Sequence, residues 1–240
     1  MASDKALSWV FAEEFVEEND ILAQARETAT DLGAEPVSTG VGATLRLLAA
    51  TCGAKAVLEI GTGAGVSGLW LLQGMSADGV LTTIDHEVEF HKYARRAFTA
   101  AGIPSQRTRL IAGRALDVLP RMAARGYDMM VIDAPADEIP DYLDHALRVL
   151  RPGGLIVIVH ALWHDQVADP AQRDEQTVMM RELAKVLASS EQFVPAMLPV
   201  GESREPLRTL RASLLRAFAP PPHGIVEPSG YRRRMRDGRS

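Results

Sequence analysis

Four side chains able to exchange a proton or hold a polar ligand recur at the ends of apolar runs. Glu59 and the glycines after it stand in "VLEIGTGAG", Asp85 ends "GVLTTID", Asp133 ends "YDMMVID" and His160 ends "GLIVIVH". Glu59, Gly61 and Gly63 form an E-x-G-x-G stretch, in which bare backbone lets a ligand come close and a left-handed φ costs glycine little. Gly63, Gly65 and Gly68 also satisfy G-x-G-x-x-G, but the turn already begins at Gly61, two residues before a dinucleotide fingerprint would start, which counts against a nicotinamide cofactor. Asp85 follows Gly61 by 24 residues, where a strand-end carboxylate can accept both hydroxyls of a ribose. It or His86 could equally cap a helix opening in "DHEVEF", and the two roles are compatible. Asp133, in "VIDAP", is either a cleft carboxylate or a turn residue. His160, with His164 and Asp165 close behind, is a base, a metal ligand or a packed core residue.

These residues need a scaffold that brings strand ends together. From residue 54, aliphatic runs ("KAVLEI", "GVLTTID", "TRLIAG", "YDMMVID", "GLIVIVH") alternate with helical stretches around residues 66–74, 87–101, 115–125 and 140–150. Near-continuous apolar strands alternating with helices predict a parallel sheet covered on both faces, and right-handed crossovers make it doubly wound. Ligand chemistry then belongs at the carboxyl edge, which collects Ile60, Asp85, Gly113, Asp133 and His160. Residues 5–30 read as an amphipathic helix or helix pair. "GAEPVSTGVG" reads as a break, and "ATLRLLAATC" as a helix ending at Gly53. Residues 171–188 predict another helix and "EQFVPAMLPVG" a further strand, but no final apolar strand is visible after it. Residues 207–218 suit a short basic amphipathic helix instead, and the rest of the Pro- and Arg-rich tail predicts disorder. The expected division is a helical cap over residues 1–53, an α/β domain over 54–200 and a basic tail over 201–240.

The formal net charge is −5, with an excess of five positive charges from Gly201 onward and of ten negative charges before it. An acidic body argues against nucleic acid as a partner. The lone Cys52 excludes an internal disulfide, and no apolar run approaches the roughly 18 residues of a membrane span, so a cytoplasmic protein is expected.

The succession "VLEIGTGAGVSGLWL", "GVLTTIDHE", "RTRLIAGRALDVLP", "YDMMVIDA", "YLDHALRVLRPGGLIVI" and "VADPAQRD" resembles the cation-dependent, catechol and caffeoyl-CoA type of S-adenosylmethionine (SAM)-dependent O-methyltransferases, especially small actinobacterial members, over about residues 20–200. The resemblance implies a class I methyltransferase, Rossmann-like fold and SAM as cofactor. It places Val37, Glu59, Gly61, Thr62, Gly63 and Ser67 at the methionine part or the loop backbone. Asp85 falls at the ribose, His86 and Ala115 at the adenine, and Asp133 between cofactor and substrate. It also implies a small hydroxylated acceptor and a homodimer.

The strand-five pair and the lysine depart from that pattern. Family members hold a divalent cation on the strand-four Asp and on an Asp-Asn pair ending strand five, and carry a lysine three residues after the first ligand. Here Asp133 remains, but the pair is Val159 and His160 and the lysine is Ala136. Valine offers no lone pair, and a single imidazole suits zinc-like ions better than magnesium, so metal dependence is expected to be weakened or absent unless Asp133, His160, His164 and Asp165 rebuild a site. Methyl transfer can proceed through in-line positioning, with a base for the acceptor hydroxyl. His160 is the only titratable side chain at the strand-five edge, so His160 and Asp133 are the expected catalytic pair. A SAM-binding protein that has lost catalysis and acts as a regulatory or interaction module is the competing reading.

Overall fold

The computed structural model describes residues 2–201 and 212–217, with side chains from residue 7 to residue 201. Three helices come first: α1 (Ala2–Glu14), α2 (Asp20–Asp31) and α3 (Thr39–Thr51). The alternating part follows as β1 (Ala56–Ile60), α4 (Val66–Gly74), β2 (Val80–Asp85), α5 (Val88–Ala100), β3 (Thr108–Ala112), α6 (Ala115–Val118), β4 (Tyr127–Ile132), α7 (Ile139–Val149) and β5 (Leu150–Ile158). Then come α8 (Glu175–Ala188), β6 (Phe193–Leu198) and β7 (Ala212–Ala217).

The sheet order is β3-β2-β1-β4-β5-β7-β6, and β1 to β5 pair in parallel. The order in which strands are added reverses between β1, which starts one half of the sheet, and β4, which starts the other, so the carboxyl ends of these two parallel strands open a crevice at the switch point. Strand residues alternate between two cores. Leu58, Ile60, Met130, Ile132, Ile156 and Ile158 pack with α7 and α8 residues such as Leu143 and Leu183. Val57, Met129, Val131, Val157 and Val159 pack on the opposite face with Leu69, Trp70 and Phe98. Period-two alternation puts Glu59 on the face of Val57, where α4 lies.

Three expectations need correction. The last strand is present: β7 inserts between β5 and β6, antiparallel to both, with registers running from Leu155↔Arg216 to Ile158↔Ser213 and from Phe193↔Ala217 to Leu198↔Ala212. Residues 212–217 are therefore strand, not part of a basic helix; the rest of the predicted tail lies outside the described residues. "GAEPVSTGVG" is only partly a break, because α3 starts at Thr39 with the Ser38 hydroxyl accepting from the Val41 N–H at 3.2 Å. Gly42 lies within this helix because Trp70 packs against it: a Cβ there would sit 2.2 Å from the indole nitrogen. Finally, β5 starts at Leu150 rather than after the "PGG", and a register shift between Tyr127 and Met129 accommodates those residues.

Candidate active site

The carboxyl ends of β1, β4 and β5 open onto a cavity of about 480 Å³. Its floor is the loop after β1, with Gly61, Thr62 and Gly63, together with Ser67 in the first turn of α4. Glu35, Pro36 and Val37, between α2 and α3, form one wall. Asp133 and Pro135 after β4, and His160, Trp163 and His164 after β5, form the other. Phe90 of α5 and Gln176 of α8 complete the lining.

Close backbone packing fixes the loop. The Gly61 N–H donates to the Ile84 carbonyl at 2.9 Å and the Asp133 N–H to the Ile60 carbonyl at 3.0 Å. Gly61 has φ 91°, and a Cβ there would stand 2.5 Å from the Asp133 carbonyl oxygen, so both conformation and space demand glycine. Asp85 anchors the next stretch from beneath. One carboxylate oxygen accepts from the Thr62 and Gly63 N–H groups at 2.8 and 3.0 Å, and the other accepts from the Glu87 N–H at 2.9 Å.

Glu59 is 1% exposed, and neither carboxyl oxygen has a hydrogen bond of ordinary geometry. Burial pushes the carboxyl up to about 7; the Thr83 and Ser67 hydroxyls oppose that rise, while the Asp133 and Asp85 carboxylates add to it. A buried acid met only by hydroxyls and flanked by other carboxylates, next to a bare-backbone loop, suits a cationic group delivered by a ligand.

On the opposite wall His160 Nε2 stands 3.4 Å from Asp133 Oδ1, and His160 Nδ1 is buried without a partner. Burial raises the Asp133 carboxyl above the usual range, His160 pulls it down, and the charges of Glu35 and Asp85 raise it further. The chain leaving β5 is strained: His160, Trp163, His164 and Asp165 have φ of 57°, 46°, 54° and 66°. Left-handed conformation costs a non-glycine residue roughly 1–2 kcal/mol, and such strain persists only where surrounding structure imposes it. Just beyond this segment, Arg181 of α8 anchors the chain by donating to the carbonyls of Val167 at 3.0 Å, Gln166 at 3.2 Å and Asp169 at 2.9 Å. The Trp163 N–H also closes on the His160 carbonyl at 2.7 Å.

The sequence-predicted residues fall into three groups. Val37, Gly61, Thr62, Gly63, Ser67, Asp133 and His160 line the cavity, and Glu59 lies buried on the α4 side of β1 next to it. Asp85 lies outside the lining, beneath the loop. His86, exposed at the end of β2, and Ala115, buried at the start of α6, also lie outside it. Four residues of the site escaped sequence reading: Glu35, Phe90, Gln176 and Arg181. Glu35 stands within "GAEPVSTGVG", so its carboxyl was a readable signal. The other three sit on helix faces whose orientation only packing reveals.

The sequence pattern of a family described as O-methyltransferase matches residues 12–206. The Mycobacterium tuberculosis protein named "Probable O-methyltransferase Rv1220c" is 52% identical over 194 residues, 81% of this chain and 87% of that one. The chain belongs to the O-methyltransferase family. Among solved structures, the O-methyltransferase TomG from Streptomyces achromogenes, involved in tomaymycin synthesis and crystallised in complex with SAM, superimposes with a TM-score of 0.76 at 28% identity, over 88% of this chain and 95% of that one. A Corynebacterium glutamicum protein does so with 0.79 at 28% identity, over 92% and 100%. The doubly wound, mostly parallel class I methyltransferase sheet expected from the sequence is thereby established. Within this O-methyltransferase the two departures noted above are core atoms: Val159 is 3% exposed and Ala136 fully buried. Among the described residues no group of three or more His, Cys, Asp or Glu is placed to hold a metal ion.

Proposed function

We propose that this O-methyltransferase binds SAM over the Gly61–Gly63 loop and methylates a hydroxyl of a small acceptor, with Asp133 and His160 handling the acceptor proton. The observation that carries this reading is the facing pair, Asp133 and His160, lining the same cavity as the glycine loop, with the buried Glu59 beside that loop. Bound SAM supplies a methyl carbon already activated by its sulfonium. The chain's own groups do the rest. The Glu59 carboxyl compensates positive charge on the ligand, Asp85 holds the loop in shape and meets the ribose, and His86 and Ala115 flank the adenine. His160 Nε2 takes the hydroxyl proton as the acceptor oxygen attacks, and Asp133 stabilises the imidazolium at 3.4 Å. The divalent-cation set of related enzymes does not fit here, because Val159 is packed in the core, and no step is assigned to a metal. We further assign the protein to the cytoplasm as a homodimer. The exposed Leu7 and Phe11 of α1, with Phe15 just after it, support self-association, and burial holds the Cys52 thiol pKa up, away from thiolate reactivity.

The decisive comparison is wild type against His160→Asn with labelled SAM, with and without a chelator. His160→Asn is expected to lower kcat by about a hundredfold while S-adenosylhomocysteine affinity holds. Chelator is expected to leave wild type unchanged. Full activity in His160→Asn, or chelator inactivation reversed by magnesium, refutes the assignment. Tight S-adenosylhomocysteine binding with no transfer to any hydroxyl compound would instead favour a binding module.

A further inference from the structure

Little apolar burial holds α1 to the body of the protein. Over residues 7–14 none of its side chains is buried, and Leu7, Val10 and Phe11 are more than half exposed. What the helix does deliver is a carboxylate. The two oxygens of the half-buried Glu13 accept from two backbone N–H groups far apart in the sequence. Oε2 accepts from Gly40, in the first turn of α3, at 2.8 Å, and Oε1 from Gly201, beyond β6, at 2.5 Å. Both partners are donors, one to each oxygen, so a carboxylate fits there and an amide, with a single acceptor oxygen, does not.

The position of Gly40 is shaped to receive this group. A Cβ there would stand 2.3 Å from Glu13 Oε1, so a poor helix former occupies the place where the carboxylate needs room. The start of α3 is thereby capped twice. The Ser38 hydroxyl accepts from the Val41 N–H at 3.2 Å, and Glu13, from another helix, takes the Gly40 N–H. Its negative charge also suits the positive end of the α3 dipole.

The turn so capped carries one wall of the cavity. Val37 is buried, lines the cavity and immediately precedes Ser38, with Pro36 before it. Residues 34–38 belong to no helix or strand, so their place is set by α2 behind them and by the first turn of α3 ahead. In the function proposed above, on which this inference rests, cofactor bound over the loop at residues 61–63 meets this wall.

We infer that Glu13 is a positioning residue for the cofactor site: it reaches from α1 to fix the first turn of α3, and with it Pro36 and Val37, so that cofactor affinity depends on a helix that does not line the cavity.

The test needs no acceptor. S-adenosylhomocysteine is titrated calorimetrically into full-length wild type, Glu13→Gln, Gly40→Ala and the double variant, and amide hydrogen exchange is followed with and without it. Glu13→Gln is expected to weaken binding about fivefold to tenfold, the scale on which residues outside a site modulate it. Gly40→Ala is expected to do the same although alanine is the better helix former, because its Cβ displaces the Glu13 carboxylate. The double variant is expected to lose no more than either single one, since both remove one contact. Exchange is expected to quicken at residues 37–41 while β1 and β4 stay protected. Unchanged affinity in Glu13→Gln overturns the inference. So do additive losses in the double variant, or exchange quickened throughout the sheet, which would make Glu13 a matter of global stability. Wild type that binds S-adenosylhomocysteine without protecting residues 61–63 takes down the placement of the cofactor, and this inference with it. Protection there, with affinity indifferent to Glu13, takes down the inference alone.

Discussion

Glu59 gives the structure a measurable pH signature. Its carboxyl titrates near 4.5 in an ordinary setting and is pushed up to about 7 in the fold, chiefly by burial. Below pH 4.5 it is protonated in folded and unfolded chains alike and contributes nothing. Between 4.5 and 7 the unfolded chain loses the proton while the folded one keeps it, so stability falls as pH rises, and above 7 the loss is complete. At about 1.4 kcal/mol per pH unit, that gap corresponds to about 3 kcal/mol. Glu59→Gln removes the titration and leaves a buried polar amide whose cost does not vary with pH. Urea unfolding of ligand-free wild type and Glu59→Gln, followed by circular dichroism from pH 4.5 to 8, is expected to show their stability difference moving by about 3 kcal/mol in favour of the variant. The raised Asp133 carboxyl contributes a slope of the same sign in both proteins, and its coupling to Glu59 is a smaller cause of the shift than burial. Cofactor binding runs the other way, because Glu59→Gln cannot compensate a cation and is expected to bind S-adenosylhomocysteine at least tenfold more weakly. Parallel stability profiles for the two proteins would show that Glu59 is satisfied and ionised in the fold, and would refute the reasoning.

Other perturbations separate loop, sheet and cavity wall. Asp85→Ala frees the Thr62, Gly63 and Glu87 N–H groups, and loss of one charge-assisted bond of about 1.5–3 kcal/mol is expected to weaken S-adenosylhomocysteine binding roughly tenfold to a hundredfold by calorimetry. Asp85→Asn, which keeps one acceptor oxygen, is expected to fall between. A chain ending at Gly201 loses β7 and exposes the facing edges of β5 and β6; gel filtration and thermal scans are expected to show aggregation and loss of a cooperative transition. Arg181→Gln unties the carbonyls of Gln166, Val167 and Asp169, and is expected to raise KM for the acceptor several-fold while leaving cofactor affinity in place.

Legibility of the fold in the sequence follows burial. β1, β2 and β4 are covered on both faces, so "AVLEI", "VLTTID" and "YDMMVI" are apolar almost throughout and their ends could be placed to within a residue or two. β7 and β6 lie at the far end of the sheet, where β6 keeps Val194 and Met197 exposed and carries Pro195, which an edge strand tolerates. "ASLLRA" lies between Pro206 and three consecutive prolines, so local composition read as tail while nonlocal pairing made it strand. The helix α3 shows the reverse error. Gly40 and Gly42 looked like loop glycines because sequence cannot show that Glu13 and Trp70 press against them.

The same division runs through the site. Side chains at strand ends were legible because the sheet delivers them to one edge whatever surrounds it, and Val37, the Gly61–Gly63 loop, Ser67, Asp133 and His160 do line one cavity. Asp85 was legible as a strand-end acid, but its engagement with three backbone N–H groups was not, since those bonds depend on how the loop turns above it. "HALWHD" carried no local signal for four left-handed residues, because none of them is a glycine. The chain just after them is tied down by α8, whose Arg181 donates to the carbonyls of Gln166, Val167 and Asp169, a contact that no local pattern announces. The cavity wall that carries Trp163 and His164 therefore continues into a stretch anchored on α8, while the ends of β4 and β5 set the Asp133–His160 pair.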